Sequence, residues 1–303
     1  MTTGVLLMAH GTPASPGEIG PFYARIRRGR LPTPEQLAEL EGRYRAIGGV
    51  SPLAERTRAQ VDGVRAALEH RAPAHFVVSF GAKHTHPLIE EAAAGLASAG
   101  HRRVIGLVLT PHGSSLGSQE YLDRAAAALG DTPFVPVEPW YAEPELVEVL
   151  SSRVKDAVAQ VSGRVRVIFT AHSLPERIRE SGDTYPEQLA ESARLVALAA
   201  GLDEWEVAWQ SAGRTPEPWL GPDVRDEVRR LSAARGADRV DAVVVCPIGF
   251  VADHLEVLYD LDVDLAGVAA ASGLAYARTA SLNDDPVFVR VLAELVVDAD
   301  FGG

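Results

Sequence analysis

The chain has 303 residues, 47% of them hydrophobic and 23% charged, a composition typical of a globular protein rather than a disordered one. No apolar run reaches the roughly 18 residues that a membrane span needs. The N-terminal residues lack the basic stretch of a signal peptide, so we expect a cytoplasmic protein. The formal net charge of −12 argues against nucleic acid as a partner, because binding phosphates requires a basic face.

Short apolar runs alternate with longer segments whose apolar residues have helical spacing. This alternation predicts an α/β fold class in which parallel sheets are flanked by helices. The predicted strands are residues 5–9, 75–80, 104–109, 134–137, 165–170, 207–209 and 242–246, and the clearest helical segments are 51–70, 87–99 and 143–161.

Two stretches of the chain resemble each other. Residues 4–13 and 165–175 are each an apolar strand ending in Ala-His, a small residue, one further residue and proline, and later in each half an apolar strand again ends at a proline. We therefore expect two similar Rossmann-like lobes, formed by residues 1–150 and 151–303, with the C-terminal helix packing back on the first lobe.

This arrangement predicts where the working site lies. Ligands of open parallel sheets bind beyond the carboxyl ends of the strands. His10, His112 and His172 all follow predicted strands, so we expect them to face one cleft between the lobes.

His172 is the strongest single candidate for chemistry, because a strand-end imidazole can accept a proton near neutral pH or bind a divalent metal. The alternative is a core histidine that hydrogen-bonds a backbone carbonyl. Glu256, Asp260 and Asp264 are spaced by four on a predicted helix and would share one face, which could equally be a solvated acidic surface. Imidazole together with carboxylates suits ferrous iron, and a base beside a carboxylate suits removal of pyrrole protons.

Other segments carry weaker signals. Lys83 and His84 follow a strand and are candidates for binding substrate carboxylates, and a basic cluster at Arg27, Arg28 and Arg30 could bind propionates or be a solvated face. Residues 209–222, with two tryptophans and three prolines, predict a rigid loop whose main role is packing. The dinucleotide, P-loop and α/β-hydrolase motifs are missing.

Cys246 is the only cysteine and lies in an apolar run. One thiol cannot make an internal disulfide, a zinc finger or a protein-bound iron–sulfur cluster. The sequence therefore predicts a buried core cysteine and an enzyme without an iron–sulfur cluster or another permanently bound cofactor.

Several motifs together resemble the ferrochelatase family over about residues 5 to 290, nearest to the soluble Gram-positive type that acts on coproporphyrin III. The motifs are Met8-Ala9-His10-Gly11-Thr12-Pro13, Arg43-Tyr44, Ile47-Gly48-Gly49-Val50-Ser51-Pro52-Leu53, Ala171-His172-Ser173-Leu174-Pro175, Trp209-Gln210-Ser211 and residues 250–260. The resemblance implies two Rossmann-like lobes holding a porphyrin between them. It also implies insertion of ferrous iron into coproporphyrin III in haem biosynthesis.

The resemblance implies roles for individual residues. His172 and Glu256 match the iron-binding and proton-accepting pair, and Asp260 and Asp264 match the acidic line behind it. We therefore expect these four residues to be the ones that contact the metal. His10 stands where close relatives often have tyrosine, and we expect it to bind the product iron axially. The residues expected around the porphyrin are Arg27, Arg43, Tyr44, Ser51 and Tyr121, together with Lys83 and His84.

Three alternatives stay open at this point. The substrate could be protoporphyrin IX, since spacing does not separate two propionates from four. A cobalt or nickel chelatase acting on sirohydrochlorin would share the lobed fold, and a non-catalytic tetrapyrrole or metal carrier could use the same frame. We further expect a monomer with transient contact to the next enzyme of the haem pathway.

Overall fold

The computed structural model describes residues 2–302. Within this range the chain forms two four-stranded sheets. The strands are β1 (Thr3–Ala9), β2 (Phe76–Ala82), β3 (Val104–Val108), β4 (Phe134–Pro136), β5 (Val165–His172), β6 (Trp205–Gln210), β7 (Ala242–Cys246) and β8 (Ala275–Arg278).

Helices connect these strands. They are α1 (Ile19–Ile26), α2 (Pro34–Ala46), α3 (Leu53–Arg71), α4 (Ile89–Ser98), α5 (Ser118–Leu129), α6 (Pro144–Val158), α7 (Tyr185–Ala200), α8 (Val224–Ala233), α9 (Leu255–Leu258), α10 (Ala266–Ala271) and α11 (Pro286–Phe301). Short 3₁₀ helices cover Pro16–Glu18, Glu176–Ser181 and Gly236–Asp238, and a π-helix covers Asp260–Leu265.

The two sheets have the same topology, which confirms the predicted pair of Rossmann-like lobes. The strand orders are β2-β1-β3-β4 and β6-β5-β7-β8, and all pairings are parallel. β3 and β7 are buried along their whole length, as strands covered by helices on both faces should be. The sequence reading missed β8, because its residues lack the β-branched run that identified the others.

The lobes share one continuous core. A single hydrophobic cluster extends from Val5 and Leu107 of the first sheet to Phe169 and Val244 of the second. α6 packs against β7 and β8, so the predicted division after residue 150 falls inside a helix that lies on the second sheet. The last strand of the first sheet ends at residue 136, and the first strand of the second sheet begins at residue 165.

The C-terminal helix packs against elements from the first half of the chain. α11 contacts α3 and β3 on the first sheet, and also α6. Its fully buried Asp300 carboxylate accepts hydrogen bonds from Arg102, Arg103 and Thr3, and it lies 2.6 Å from His75 Nε2. Because these partners flank three strands of the first sheet, Asp300 ties the end of α11 to that sheet.

No helix among residues 2–302 is both long enough and apolar enough to cross a lipid bilayer. The longest helix, α3, carries charged residues along much of its length.

Candidate active site

The carboxyl ends of the two central strands carry the histidines that the sequence singled out. His10 directly follows β1, and His172 is the last residue of β5. Gly11 then turns the chain with φ of +84°, and a Cβ at this position would lie 2.3 Å from Thr85 Oγ1. Glycine is therefore required where the chain passes from His10 into the cleft wall.

His172 and Glu256 form an ion pair in the cleft. His172 Nδ1 lies 3.2 Å from Glu256 Oε2, and the two side chains are 35% and 39% exposed, so a ligand can reach both. Nδ1 is not aligned well enough with the carboxylate for a hydrogen bond, and no other group partners it. Loose alignment of this kind is common in catalytic pairs before substrate binds.

The pair shifts the protonation of both members. Desolvation by the cleft walls would lower the pKa of His172, but the nearby Glu256 carboxylate opposes it and leaves that pKa above its usual 6.5. Desolvation alone would raise the pKa of Glu256, but the charge of His172 and contacts to His172 and His254 hold that pKa well below 4.5. His172 is thus poised to gain a proton, while Glu256 stays ionised.

Backbone contacts hold this pair in place. The Tyr185 hydroxyl donates to the His172 carbonyl oxygen at 3.1 Å, and Gln210 Nε2 donates to the Glu256 carbonyl oxygen at 3.0 Å. Gln210 is oriented in turn by the Thr170 hydroxyl, 2.8 Å from its Oε1. Sequence reasoning missed the role of Tyr185, since a tyrosine at the start of a helix carries no signal for contact with a strand end.

His254 is a second histidine beside Glu256. Its Nε2 lies 3.8 Å from Glu256 Oε2, while its Nδ1 lies 2.9 Å from the Ala252 carbonyl oxygen. A bond from Nδ1–H to this carbonyl leaves Nε2 turned toward the carboxylate. Glu256 therefore lies between two imidazoles. His254 stands only two residues before Glu256, and this spacing could have indicated the contact, although the sequence analysis did not select His254.

Asp260 extends the acidic side of the cleft inward. The Ser211 hydroxyl donates to Asp260 Oδ2, and Arg43 Nη1 lies 3.7 Å from Asp260 Oδ1. Desolvation raises the pKa of Asp260, and the charge of Glu256 adds to that rise, while Ser211 and Arg43 oppose it. Ser211 adopts the left-handed region with φ of +59°, a conformation that non-glycine residues hold when their surroundings require it.

Asp264 faces a different partner. Asp264 Oδ2 pairs with Arg225 Nη1 at 3.3 Å, and its side chain is 41% exposed. The backbone here is a π-helix, with Asp264 N bonded to Tyr259 O five residues earlier, rather than the predicted α-helix. In residues 2–302, no three histidine, cysteine or acidic side chains come close enough to hold a metal ion together. The metal-binding roles expected for His172, Glu256, Asp260 and Asp264 stay predictions.

The opposite wall carries His10 and His84, whose ring centroids lie 4.7 Å apart. Phe22 packs edge-on to both rings. Desolvation by these neighbours lowers the pKa of His10, although its side chain opens to solvent, and lowers that of His84 to about 3. Both imidazoles are therefore neutral near pH 7, although the Glu256 charge opposes the lowering of the His10 pKa.

The residues expected around the porphyrin have different local contacts. The Tyr44 hydroxyl lies 3.5 Å from Thr12 Oγ1, and Glu256 contributes to raising the pKa of Tyr44 after desolvation. Lys83 Nζ lies over the Tyr121 ring and 2.8 Å from Glu120 Oε2.

Ser51 and Arg27 complete that set. Ser51 Oγ accepts from the backbone of Leu53 at the start of α3, a structural contact. Arg27 lies over the Tyr23 ring, and its buried Nε has no hydrogen-bond partner. The roles of these residues in binding stay predictions.

His112 does not join the other two histidines, which corrects the expectation that all three face one cleft. It is 2% exposed, its ring stacks on Tyr141, and both ring nitrogens are buried without a partner. Burial lowers its pKa to about 3.

A neighbouring cavity of about 990 Å³ lies between residues 108–140 and 177–188 and contains neither His172 nor Glu256. This cavity is therefore separate from the candidate chemistry.

The loop after β6 does more than pack. Residues 211–223 supply Ser211 to Asp260, and Arg214 pairs with Glu39 of α2 on the first lobe. The sequence reading assigned this loop to structural support, because tryptophan and proline dominate its composition. Only the folded chain shows that its polar residues cross the cleft.

Proteins of known name share this sequence over nearly its whole length. A family model described as Ferrochelatase matches residues 2–300. A coproporphyrin III ferrochelatase from Bacillus subtilis is 44% identical, with 97% of this chain and 96% of that protein covered. A ferrochelatase from Herpetosiphon aurantiacus is 41% identical over 97% of this chain and 98% of its own length.

Solved structures share the fold. SirB from Bacillus subtilis, determined with Fe3+, superposes with a TM-score of 0.65 at 13% identity, covering 100% of this chain and 97% of SirB. CbiX, described as the terminal enzyme for siroheme biosynthesis in denitrifying bacteria, gives 0.54 at 16% identity, covering 98% and 99%. These likenesses show the chelatase-like fold, and the sequence match shows the family. The comparisons confirm the resemblance and the enzyme class that the sequence motifs predicted. The chain belongs to the ferrochelatase family.

Proposed function

We propose that this protein inserts ferrous iron into coproporphyrin III to give Fe-coproporphyrin III in haem biosynthesis. The observation that carries the proposal is the His172–Glu256 pair, in which Nδ1 and Oε2 lie 3.2 Å apart and both side chains are partly exposed. The charge of Glu256 also acts on the pKa of His10. The 44% identical relative from Bacillus subtilis has the same named substrate. The cleft between these walls is where a planar tetrapyrrole would lie.

Metal insertion releases two pyrrole protons, so the site needs a base. His172 is neutral above its raised pKa, so it can accept one proton, release it to solvent and then accept the other. Glu256 stabilises the imidazolium that forms each time. A base whose pKa lies near the working pH is the most effective for this task. The incoming ferrous ion is the substrate, and an incomplete set of two side chains would hold it without trapping it.

His10, on the other wall of the cleft, would bind the iron of the product. His10 is neutral, because desolvation lowers its pKa, so its imidazole lone pair is free to bind the iron of the finished product. Arg27, Arg43 and Lys83 supply positive charge near the cleft, which suits the carboxylates of a porphyrin. Arg27 Nε in particular is a buried donor that still lacks an acceptor.

The remaining parts of the proposal concern the enzyme's setting. We propose a monomeric cytoplasmic enzyme with no iron–sulfur cluster, which hands its product to the next haem-pathway enzyme by transient contact. The buried position of its single cysteine, Cys246, supports only the part about the cluster, since one thiol inside β7 cannot supply the ligands of an iron–sulfur cluster.

One experiment separates the candidate substrates. The protein is supplied anaerobically with ferrous iron and either coproporphyrin III, protoporphyrin IX or sirohydrochlorin, and the Soret band is followed with time. We expect many turnovers with coproporphyrin III and much slower metalation of the other two. A preference for protoporphyrin IX would overturn the substrate assignment. Metalation that stops at one equivalent of protein would indicate a carrier instead.

A further inference from the structure

An ion pair joins the two lobes across the mouth of the cleft. Arg214 Nη1 donates to Glu39 Oε2 at 2.6 Å, and Nη2 also donates to Glu39 Oε1. Glu39 lies on α2 of the first lobe, and Arg214 lies in the loop after β6 of the second. Two parallel bonds from one guanidinium to one carboxylate are the strongest geometry for such a pair.

Glu39 also pairs with Arg43, one of the residues expected to bind the porphyrin. Arg43 Nη2 donates to Glu39 Oε1 at 3.1 Å, one turn along α2, while Arg43 Nη1 lies 3.7 Å from Asp260. One Glu39 carboxylate thus serves two guanidinium groups. Arg214 also belongs to the loop whose Ser211 contacts Asp260, so this loop contacts both Asp260 and Glu39 of the first lobe.

The pair lies where an arriving ligand can displace it. The side chains of Arg214 and Glu39 are 64% and 42% exposed. Exposed ion pairs contribute little net stability, because water solvates the separated charges almost as well. A substrate carboxylate has the same chemistry as that of Glu39 and can replace it on the Arg214 fork at little cost.

We propose that Arg214 is a further binding residue for a substrate carboxylate and that Glu39 occupies it until the substrate arrives. In the free protein, Glu39 draws the two lobes together through Arg214 and keeps Arg43 paired. When a porphyrin carboxylate binds Arg214, Glu39 is displaced and the inter-lobe contact passes through the substrate. This inference rests on the proposed function, since it assigns a contact to the same porphyrin.

The test measures porphyrin binding without iron, by quenching of protein fluorescence. We expect Arg214→Ala to raise the Kd for coproporphyrin III about tenfold, the loss of a charge-assisted contact. Glu39→Gln should lower this Kd about threefold, because it removes an exposed competitor. In the Arg214→Ala background most of the effect of Glu39→Gln should be lost, and any remainder comes from Arg43, the second arginine that Glu39 pairs with. A full threefold effect in that background would contradict the role of Arg214.

Two controls make the result specific. Arg177→Ala removes another exposed arginine, paired with Glu217 on the same loop, and should leave the Kd unchanged. The tetramethyl ester of coproporphyrin III carries no carboxylate, so neither variant should change its binding. An equal effect on acid and ester, or an unchanged Kd in Arg214→Ala, would overturn the inference. A wild type that binds coproporphyrin III but never metalates it would instead contradict the proposed function, and the binding series would still decide the role of Arg214.

Discussion

His172 Nδ1 lies 3.2 Å from Glu256 Oε2, although the two residues are 84 positions apart and belong to β5 and α9. The contact joins the carboxyl end of a central strand to the helix that follows the neighbouring strand, β7. In parallel sheets this edge is where loops from adjacent strands meet. The pairing therefore depends on the topology of the second sheet.

Replacing Glu256 should change the titration of His172. In Glu256→Gln the carboxylate no longer favours the imidazolium, while desolvation still disfavours it, so the pKa of His172 should fall from above 6.5 to below 6.5. Nuclear magnetic resonance of ¹³C-labelled histidine, with His172→Ala to assign the signal, measures this shift. An unchanged midpoint would show that Glu256 does not control His172.

The same raised pKa predicts the direction of the pH profile. The base must be neutral, so kcat/KM should fall as pH drops through a value above 6.5. The stabilising effect of the His172 charge runs the opposite way: it is complete below about pH 6.5 and is lost as pH rises through the folded-state pKa. Turnover measured from pH 5.5 to 9 checks the first statement, and an acid limb centred well below 6.5 would contradict it.

Loss of either member of the pair should slow metalation strongly and spare porphyrin binding. His172→Ala and Glu256→Gln should each lower kcat at least about 100-fold, the usual contribution of a positioned base. Absorbance of the metalated product gives kcat, and fluorescence titration gives the porphyrin Kd. Near-normal turnover in either variant would contradict the assigned roles.

His10→Ala should alter the spectrum of the product while bound to the protein. Removing the imidazole takes away the proposed axial ligand, so the Soret band of bound Fe-coproporphyrin III should shift. His86→Ala is a suitable control, because His86 is an exposed histidine paired with Glu91 at 2.9 Å. An identical spectrum in wild type and His10→Ala would rule out the axial role.

Tyr185→Phe should weaken the support behind His172. The change removes one hydroxyl hydrogen bond to the His172 carbonyl oxygen, which should lower the free energy of unfolding by about 1 kcal/mol. Because His172 is then held less firmly, kcat should fall about fivefold with little change in KM for the porphyrin. If kcat and KM both match those of the wild type, Tyr185 has no positioning role.

Asp300→Ala should be the most destabilising of these changes. It leaves Arg102 and Arg103 without the buried carboxylate that receives them, which should lower the free energy of unfolding by about 3 kcal/mol. Urea denaturation measures this loss. Asp298→Ala, an exposed acid on the same helix, should change stability little. Equal effects of the two changes would show that the Asp300 network does not anchor α11.

The sequence by itself determined the architecture and the main candidates. Apolar runs alternating with helical segments indicated the parallel sheets, and the paired Ala-His strand ends indicated two similar lobes. These are local patterns, which the chemistry of neighbouring residues creates, and they led directly to His172 and Glu256.

Tertiary structure alone decided which of these residues act together. A π-helix and Arg225 place Asp264 apart, Tyr141 and Tyr185 bury His112, and Arg214 reaches Glu39 across 175 positions of chain. None of these contacts could be predicted from spacing, because each depends on how one lobe, or one helix turn, is oriented against another. Which charged side chains pair with each other depends on how the folded elements are placed, whereas the patterns of strands and helices depend only on neighbouring residues in the sequence.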